Sequence, residues 1–209
     1  MVNYLFSKII NDNSIQKEYL LKNIKSGMNI TYISSVPDNH ERTDEQVNKF
    51  TSYFNSIGIN FNEVFYIDSR ISESDAHSSI LKSDVVFLTG GSPELQMELI
   101  NNYNLANDIK TRNIVIGVSA GAMNQGKRIV YKDDFDNFKI KDYEGLGLTD
   151  INIFLHFDES YQDIVNEVNE VSDIHEITCI PNESFIYIEN GNKEVLGDYF
   201  EPNKKGIAR

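Results

Sequence analysis

The sequence predicts an α/β fold built on a mostly parallel sheet with helices on both faces, and three observations carry that prediction. Strand-like and helix-like segments alternate almost from the first residue. Strand-like stretches such as "MNITYISS", "DVVFLTGG" and "NIVIGVS" are apolar or β-branched runs, as expected of strands covered on both sides. The helix-like stretches carry start and stop signals, a capping residue at one end or a glycine at the other. With 209 residues, 40% of them hydrophobic, the chain can bury a full core, and it is read as one domain spanning 1–209.

Element by element, "VNYLFS" is apolar and aromatic enough for a strand, and "SIQKEYLLKNIKSG" has helical spacing closed by Gly27. After the strand "MNITYISS", Thr43 and Gln46 have the spacing of a capping box, which would open a helix placing Val47, Phe50, Tyr53 and Phe54 on one face before Gly58. "NEVFYID" reads as a strand, "ESDAHSSILKS" as a short helix and "DVVFLTGG" as a strand. "SPELQMELINNYNLANDIK" is one helix, with Ser92 as N-cap and Pro93 at its first position. "NIVIGVS" is the next strand, and "AGAMNQG" begins another helix.

Beyond Gly126 the pattern changes to short strands and turns through "KRIVYKDDFDNFKIKDYEGLGLTD", then the strand "INIFLHFD" and the helix "YQDIVNEVNEVSDIH". "EITCIP", "SFIYIEN" and "EVLGDYF" read as three closing strands, "ENGNKE" as a hairpin turn, and "EPNKKGIAR" as a loose tail. No repeat, low-complexity tract or Pro/Gly/Ser-rich linker interrupts the chain.

A formal charge of −13 argues against nucleic acid or an anionic membrane surface as partner, since both would be repelled. No run approaches the roughly 20 apolar residues of a membrane span, and the first residues lack the features of a secretory signal. Cys179, the one cysteine, cannot form an internal disulfide and sits in an apolar run, where a buried thiol is expected rather than a nucleophile. A cytoplasmic location follows as the expectation.

The chemistry centres on Gly117-Val118-Ser119-Ala120-Gly121, which fits the G-x-S-x-G nucleophile elbow and lies between a predicted strand and a predicted helix. Small residues there leave room for strained serine dihedrals that point the hydroxyl out of the sheet; a tight turn with a capping serine is the alternative. Gly90 and Gly91 follow a strand and lead into a helix, so one of their N–H groups, with that of Ala120, would form an oxyanion hole; a simple turn is again the alternative. No G-x-G-x-x-G or G-x-x-x-x-G-K-[ST] is present to suggest a nucleotide.

A serine nucleophile needs a base, and the chain has four histidines. His40 sits in a charged loop, His77 in a short helix and His175 at a helix end, whereas His156 ends an apolar strand and should emerge at the sheet edge. Glu183, in a short turn between two strands, is the candidate acid, though it could equally be a polar turn residue. Asp133, Asp134 and Asp136 form a local charge run, and Asp158 lies close in sequence to His156.

"VVFLTGGSPELQ", "IVIGVSAGAM", "GLGL" before "INIFLHFD", and "IPNESFIYI" together resemble peptidase family S51, which includes the aspartyl dipeptidases (peptidase E) and the cyanophycinases. The resemblance implies a flavodoxin-like, class I glutamine amidotransferase-like sheet in three layers, α/β/α. It also implies a triad of Ser119, His156 and Glu183, with Asp134 or its neighbour Asp133 as second choice for the acid. Ser119 would attack a peptide carbonyl, His156 would take and return the proton, and the amides of Gly90 or Gly91 and Ala120 would hold the oxyanion, with no metal or organic cofactor. The implied substrates are small peptides, among them dipeptides with N-terminal aspartate, for which Lys127, Arg128 and Lys132 are the candidate cations. A homodimer is the oligomer to test. An α/β-hydrolase-type esterase using His175, another amide hydrolase, and a non-catalytic binding or regulatory protein remain as alternatives.

Overall fold

The computed structural model describes residues 1–133, 139–202 and 207–208. β1 (Val2–Phe6) passes through Asn13, whose side chain caps the N–H groups of Ile15 and Gln16, into α1 (Ser14–Asn23). After β2 (Ile30–Ile33) comes α2 (His40–Ser56), and here the structure departs from the expected start. Asn39 is the cap, accepting the Arg42 N–H, so His40 is helical and Thr43 lies inside the helix. Asparagine is at least as good a cap as threonine, and Thr43 is instead buried, its hydroxyl bonded to that of Ser34 at 2.8 Å. The expected apolar face does pack inward, through Phe50, Tyr53 and Phe54 with Val47 beside them.

β3 (Val64–Ile67), α3 (Glu73–Lys82), β4 (Val85–Leu88) and α4 (Pro93–Asn102) follow, the last capped by Ser92 through the Leu95 N–H. The single helix expected over 92–110 is two, because Asn104 turns left-handed (φ 54°) before α5 (Ala106–Lys110). Asparagine tolerates that conformation, and the break turns Leu105 fully into the core. β5 (Ile114–Val118) and the one-turn α6 (Ala120–Met123) close this half.

β6 (Arg128–Asp133) pairs with β7 (Lys139–Glu144), and β8 (Ile153–Leu155), α7 (Gln162–Ser172) and β9 (Thr178–Ile180) follow. β10 (Phe185–Glu189) and β11 (Asn192–Leu196) form a hairpin across Asn190 and Gly191, whose φ values of 51° and 84° are those of a two-residue turn that matches strand twist. β12 (Tyr199–Phe200) pairs with β13 (Ile207–Ala208), so the C-terminal stretch expected to be loose contributes a strand.

The main sheet has the order β11-β10-β1-β5-β4-β2-β3, parallel from β1 to β3 with β10 and β11 antiparallel at one edge. Alternation along the strands supplies two cores. Tyr4, Phe6, Tyr32, Phe87 and Ile116 pack under α1 and α2, while Ile33, Val86, Leu88 and Val115 pack under α3, α4 and α5. Phe87 sits among aromatic rings, 4.7 Å from Phe50 and 5.1 Å from Tyr32 between centroids, distances that favour tilted aromatic pairs. The "closing strands" divide: β10 and β11 join this sheet, whereas β9 and β12 belong to a second sheet, β13-β12-β9-β8. The architecture is thus three-layer α/β with a central, mostly parallel sheet of seven strands. No helix among the described residues is long and apolar enough to cross a membrane.

Helices α3 and α5 are tied by His77, whose Nδ1 lies 2.5 Å from the Asp108 carboxylate, with Glu73 at 3.8 Å from Nε2. The hydrogen bond to Asp108 lifts the imidazole above its ordinary range. A group bound more tightly as the cation in the folded state adds stability that is complete below its unfolded value, about pH 6.5, and fades as pH rises through the folded one. The melting temperature of the wild type should therefore exceed that of His77→Asn most at mildly acidic pH, with the gap closing toward alkaline pH. A gap that widened with pH would contradict the ion pair.

Candidate active site

Strands β1, β5 and β4 lie side by side, and their carboxyl ends meet where α1 leaves one face and α4 the other. Such a crevice is where open α/β sheets place their ligands. Ser119 stands at the end of β5 with φ 51° and ψ −119°, outside the comfortable range for a residue with a side chain. Its N–H donates to the Phe6 carbonyl at 2.9 Å, and its own carbonyl accepts from Ala122 and Met123, which fixes the strain in place. Close approach explains the flanking glycines: a Cβ at Gly117 would lie 2.3 Å from the Gly121 carbonyl, and one at Gly121 would lie 2.1 Å from that of Leu88.

The strained turn carries the Ser119 hydroxyl to His156, with Oγ 3.1 Å from Nε2. His156 follows β8 in the left-handed region (φ 59°), its backbone N–H donating to the Ser7 hydroxyl at 3.0 Å beyond the end of β1. The other ring nitrogen, Nδ1, lies 2.7 Å from Asn182 Oδ1 and 3.3 Å from Ser7 Oγ. Here the structure differs from the expected triad. The residue against Nδ1 is Asn182, one position before Glu183, in the turn closed by the Ser184 N–H on the Pro181 carbonyl. Glu183 is exposed, and its backbone carbonyl, not its carboxylate, accepts bonds from Asn13 and Gln16. Asp134, and the side chains of Asp133 and Lys132, lie outside the described residues.

Gly90 packs against the nucleophile candidate: a Cβ there would lie 3.2 Å from both Ser119 Cβ and the Val118 carbonyl. The Gly90 carbonyl is held by two donors, Ser35 Oγ at 2.5 Å and Gln46 Nε2 at 2.7 Å. Gly91 has a φ of 151°, and a Cβ on it would come 2.4 Å from Ser35 Oγ. In a trans peptide the N–H opposes the C=O. Pinning the Gly90 carbonyl on the Ser35 side therefore turns the Gly91 N–H away from it. Neither that N–H nor the N–H of Ala120 has an acceptor among the described residues.

A cavity of about 500 Å³ opens beside His156 and Asn182, and four carboxylates, Asp158, Glu159, Glu183 and Asp198, line it, with no lysine or arginine among the described lining residues. Hydrogen bonds from the Ser160 hydroxyl and N–H hold Asp158 below the usual carboxylate range. Of the candidate cations, Lys127 pairs with Asp150 and Arg128 with Asp142. His40, His77 and His175 contact Ser69, Asp108 and Asp142 respectively, leaving His156 as the histidine at Ser119. Burial pushes the Cys179 thiol up to about 12, as suits an inert core residue.

Sequence reasoning missed Asn182, Ser7 and Gln46. Ser7, directly after the first strand, carried a weak signal in its position at a sheet edge; Gln46 carried a misleading one, since its spacing from Thr43 mimics a capping box.

Fold and site together define a class: a three-layer α/β protein presenting a serine, a histidine and the backbone amides of Gly91 and Ala120 at the carboxyl edge of its sheet. The chain belongs to peptidase family S51, whose description it matches over residues 6–196. Peptide hydrolysis is the activity that membership supports. Among solved structures it is similar to a putative peptidase E protein from Listeria monocytogenes EGD-e, with a TM-score of 0.72 at 19% identity over 93% of this chain and 97% of that one. It is also similar to a peptidase from an acI-B1 Actinobacterium, with a TM-score of 0.68 at 13% identity over 99% and 96% of the two chains. No curated protein matches the sequence.

Proposed function

We propose that the chain is a serine-type peptidase that hydrolyses small peptides through an acyl-enzyme on Ser119. The observation that carries this reading is the 3.1 Å approach of Ser119 Oγ to His156 Nε2 beside two N–H groups that have no acceptor among the described residues. Nε2 takes the hydroxyl proton as Oγ bonds to the peptide carbonyl carbon, and the carbonyl oxygen becomes an oxyanion facing the Gly91 and Ala120 amides. The same proton passes from Nε2 to the leaving nitrogen as the C–N bond breaks. Water then repeats the sequence on the ester, with His156 as base, and releases Ser119. Every proton is returned, so the cycle calls for no cofactor. A cytoplasmic site of action accords with the lone thiol of Cys179.

The cavity bears on substrate choice. An N-terminal aspartate side chain needs a cation opposite it, and the described residues lining the cavity offer four carboxylates instead. A panel of dipeptides and aminoacyl p-nitroanilides, assayed with wild type and Ser119→Ala in parallel, tests both points. Substrates with neutral or cationic side chains are expected to be cleaved faster than Asp-Xaa, the difference shrinking with added salt. Cleavage confined to Asp-Xaa would instead restore the aspartyl dipeptidase expectation. Hydrolysis of p-nitrophenyl esters or other amides but no peptide would move the chain to another hydrolase class. A folded protein inert to the whole panel and to fluorophosphonates would favour a binding role.

A further inference from the structure

We infer that a neutral side chain, Asn182, rather than a carboxylate, is the positioning residue that sets the tautomer of His156. It rests on the acyl-enzyme reading above. For His156 Nε2 to receive the Ser119 proton its lone pair must face Oγ, so the ring proton must sit on Nδ1. Nδ1–H then needs an acceptor, and Asn182 Oδ1 stands 2.7 Å away. Ser7 Oγ, at 3.3 Å, is the weaker candidate, because it already accepts the His156 backbone N–H at 3.0 Å. No described residue makes a hydrogen bond to the Glu183 carboxylate, and that carboxylate makes none to the ring.

The choice of amide over carboxylate has a chemical signature. An amide oxygen accepts the Nδ1 proton and fixes the ring plane, as a carboxylate would, but it adds no negative charge beside the imidazolium that forms when Ser119 is deprotonated. The charged groups beside the ring are then those of the cavity, Asp158, Glu159, Glu183 and Asp198, and not the residue that holds Nδ1. The acid limb of the kcat/KM profile, which reports the free-enzyme histidine, is where a charge introduced at position 182 would show.

The test uses Asn182→Ala and Asn182→Asp on the best substrate of the panel, each assayed across pH. Asn182→Ala should lower kcat about 10–100-fold with little change in KM, the scale seen when outer partners of a functional histidine are removed. Asn182→Asp should recover activity and move the acid limb upward by about one pH unit or more, since an opposite charge at this range favours the protonated ring. Wild-type kcat and an unmoved limb in Asn182→Ala would overturn the inference. So would an unmoved limb in Asn182→Asp, or loss of activity in Glu183→Gln while Asn182→Ala stays active. If wild type hydrolyses nothing, the peptidase reading fails separately, and nitrogen NMR of the His156 ring, assigned with His156→Gln, decides this point alone. The neutral ring should be protonated on Nδ1 in wild type and shift toward the other tautomer in Asn182→Ala; the same tautomer in both would overturn it.

Discussion

Replacing Ser119 with alanine is expected to lower kcat/KM by roughly 10⁴–10⁶-fold, with His156→Ala of the same order, because the two groups act as one unit. The Ser119→Ala/His156→Ala double variant should lose little beyond either single change. The fold should survive. Ser119 is left-handed because its backbone is bonded to Phe6, Ala122 and Met123, and alanine has the same Cβ, so no new strain enters. The hydroxyl removed has His156 as its hydrogen-bond partner. Melting temperatures equal to or above that of wild type are therefore expected, in line with functional sites held at a cost to stability. Steady-state kinetics with a fluorophosphonate labelling control, in which wild type is modified once and Ser119→Ala is not, checks the assignment. Full activity in either single variant would end it.

What the sequence disclosed was whatever depends on near neighbours. The elbow is five residues between a strand and a helix, and Gly90-Gly91 is two residues between another strand and a capped helix, so local pattern sufficed to place both at the sheet edge. His156 was accessible for the same reason, as the residue that directly follows β8. The rest depends on partners far away in the chain. Asn182 and Glu183 are adjacent polar residues in one turn, and which of them faces His156, 26 positions before Asn182, is decided by the turn's backbone and not by residue type. Gln46 has the spacing of a capping residue from Thr43, yet its side chain serves a carbonyl 44 positions away. β9 and β10 read alike as short apolar strands, but pairing with β8 takes the first into a second sheet, while pairing with β1 keeps the second in the main one. Strand pattern records burial, and both are buried; it does not record the neighbour.

The second large effect is expected at the Gly90–Gly91 peptide. Gly91→Ala would place a methyl group 2.4 Å from Ser35 Oγ on a backbone at φ 151°, so the peptide must rotate, and its N–H leaves the direction it now faces. Losing one such donor costs about 10²–10³ in kcat where an oxyanion develops, and KM should change little because the ground-state carbonyl uses the contact less. Gln46→Ala is the gentler probe of the same device. It removes one of the two donors that hold the Gly90 carbonyl while Ser35 keeps the other, so the peptide loosens without a clash. A fall in kcat of about tenfold is expected, between zero effect and the loss of a whole donor. Gln46→Glu should be worse than Gln46→Ala, since a carboxylate facing a carbonyl oxygen has no proton to give and must repel it or turn away. Affinity for a peptide boronic acid, whose tetrahedral adduct presents an oxygen where the oxyanion would sit, should fall in parallel with kcat/KM across the three variants. If inhibitor affinity holds while kcat falls, the Gly91 amide is not an oxyanion donor, and Gln46 acts only on the fold.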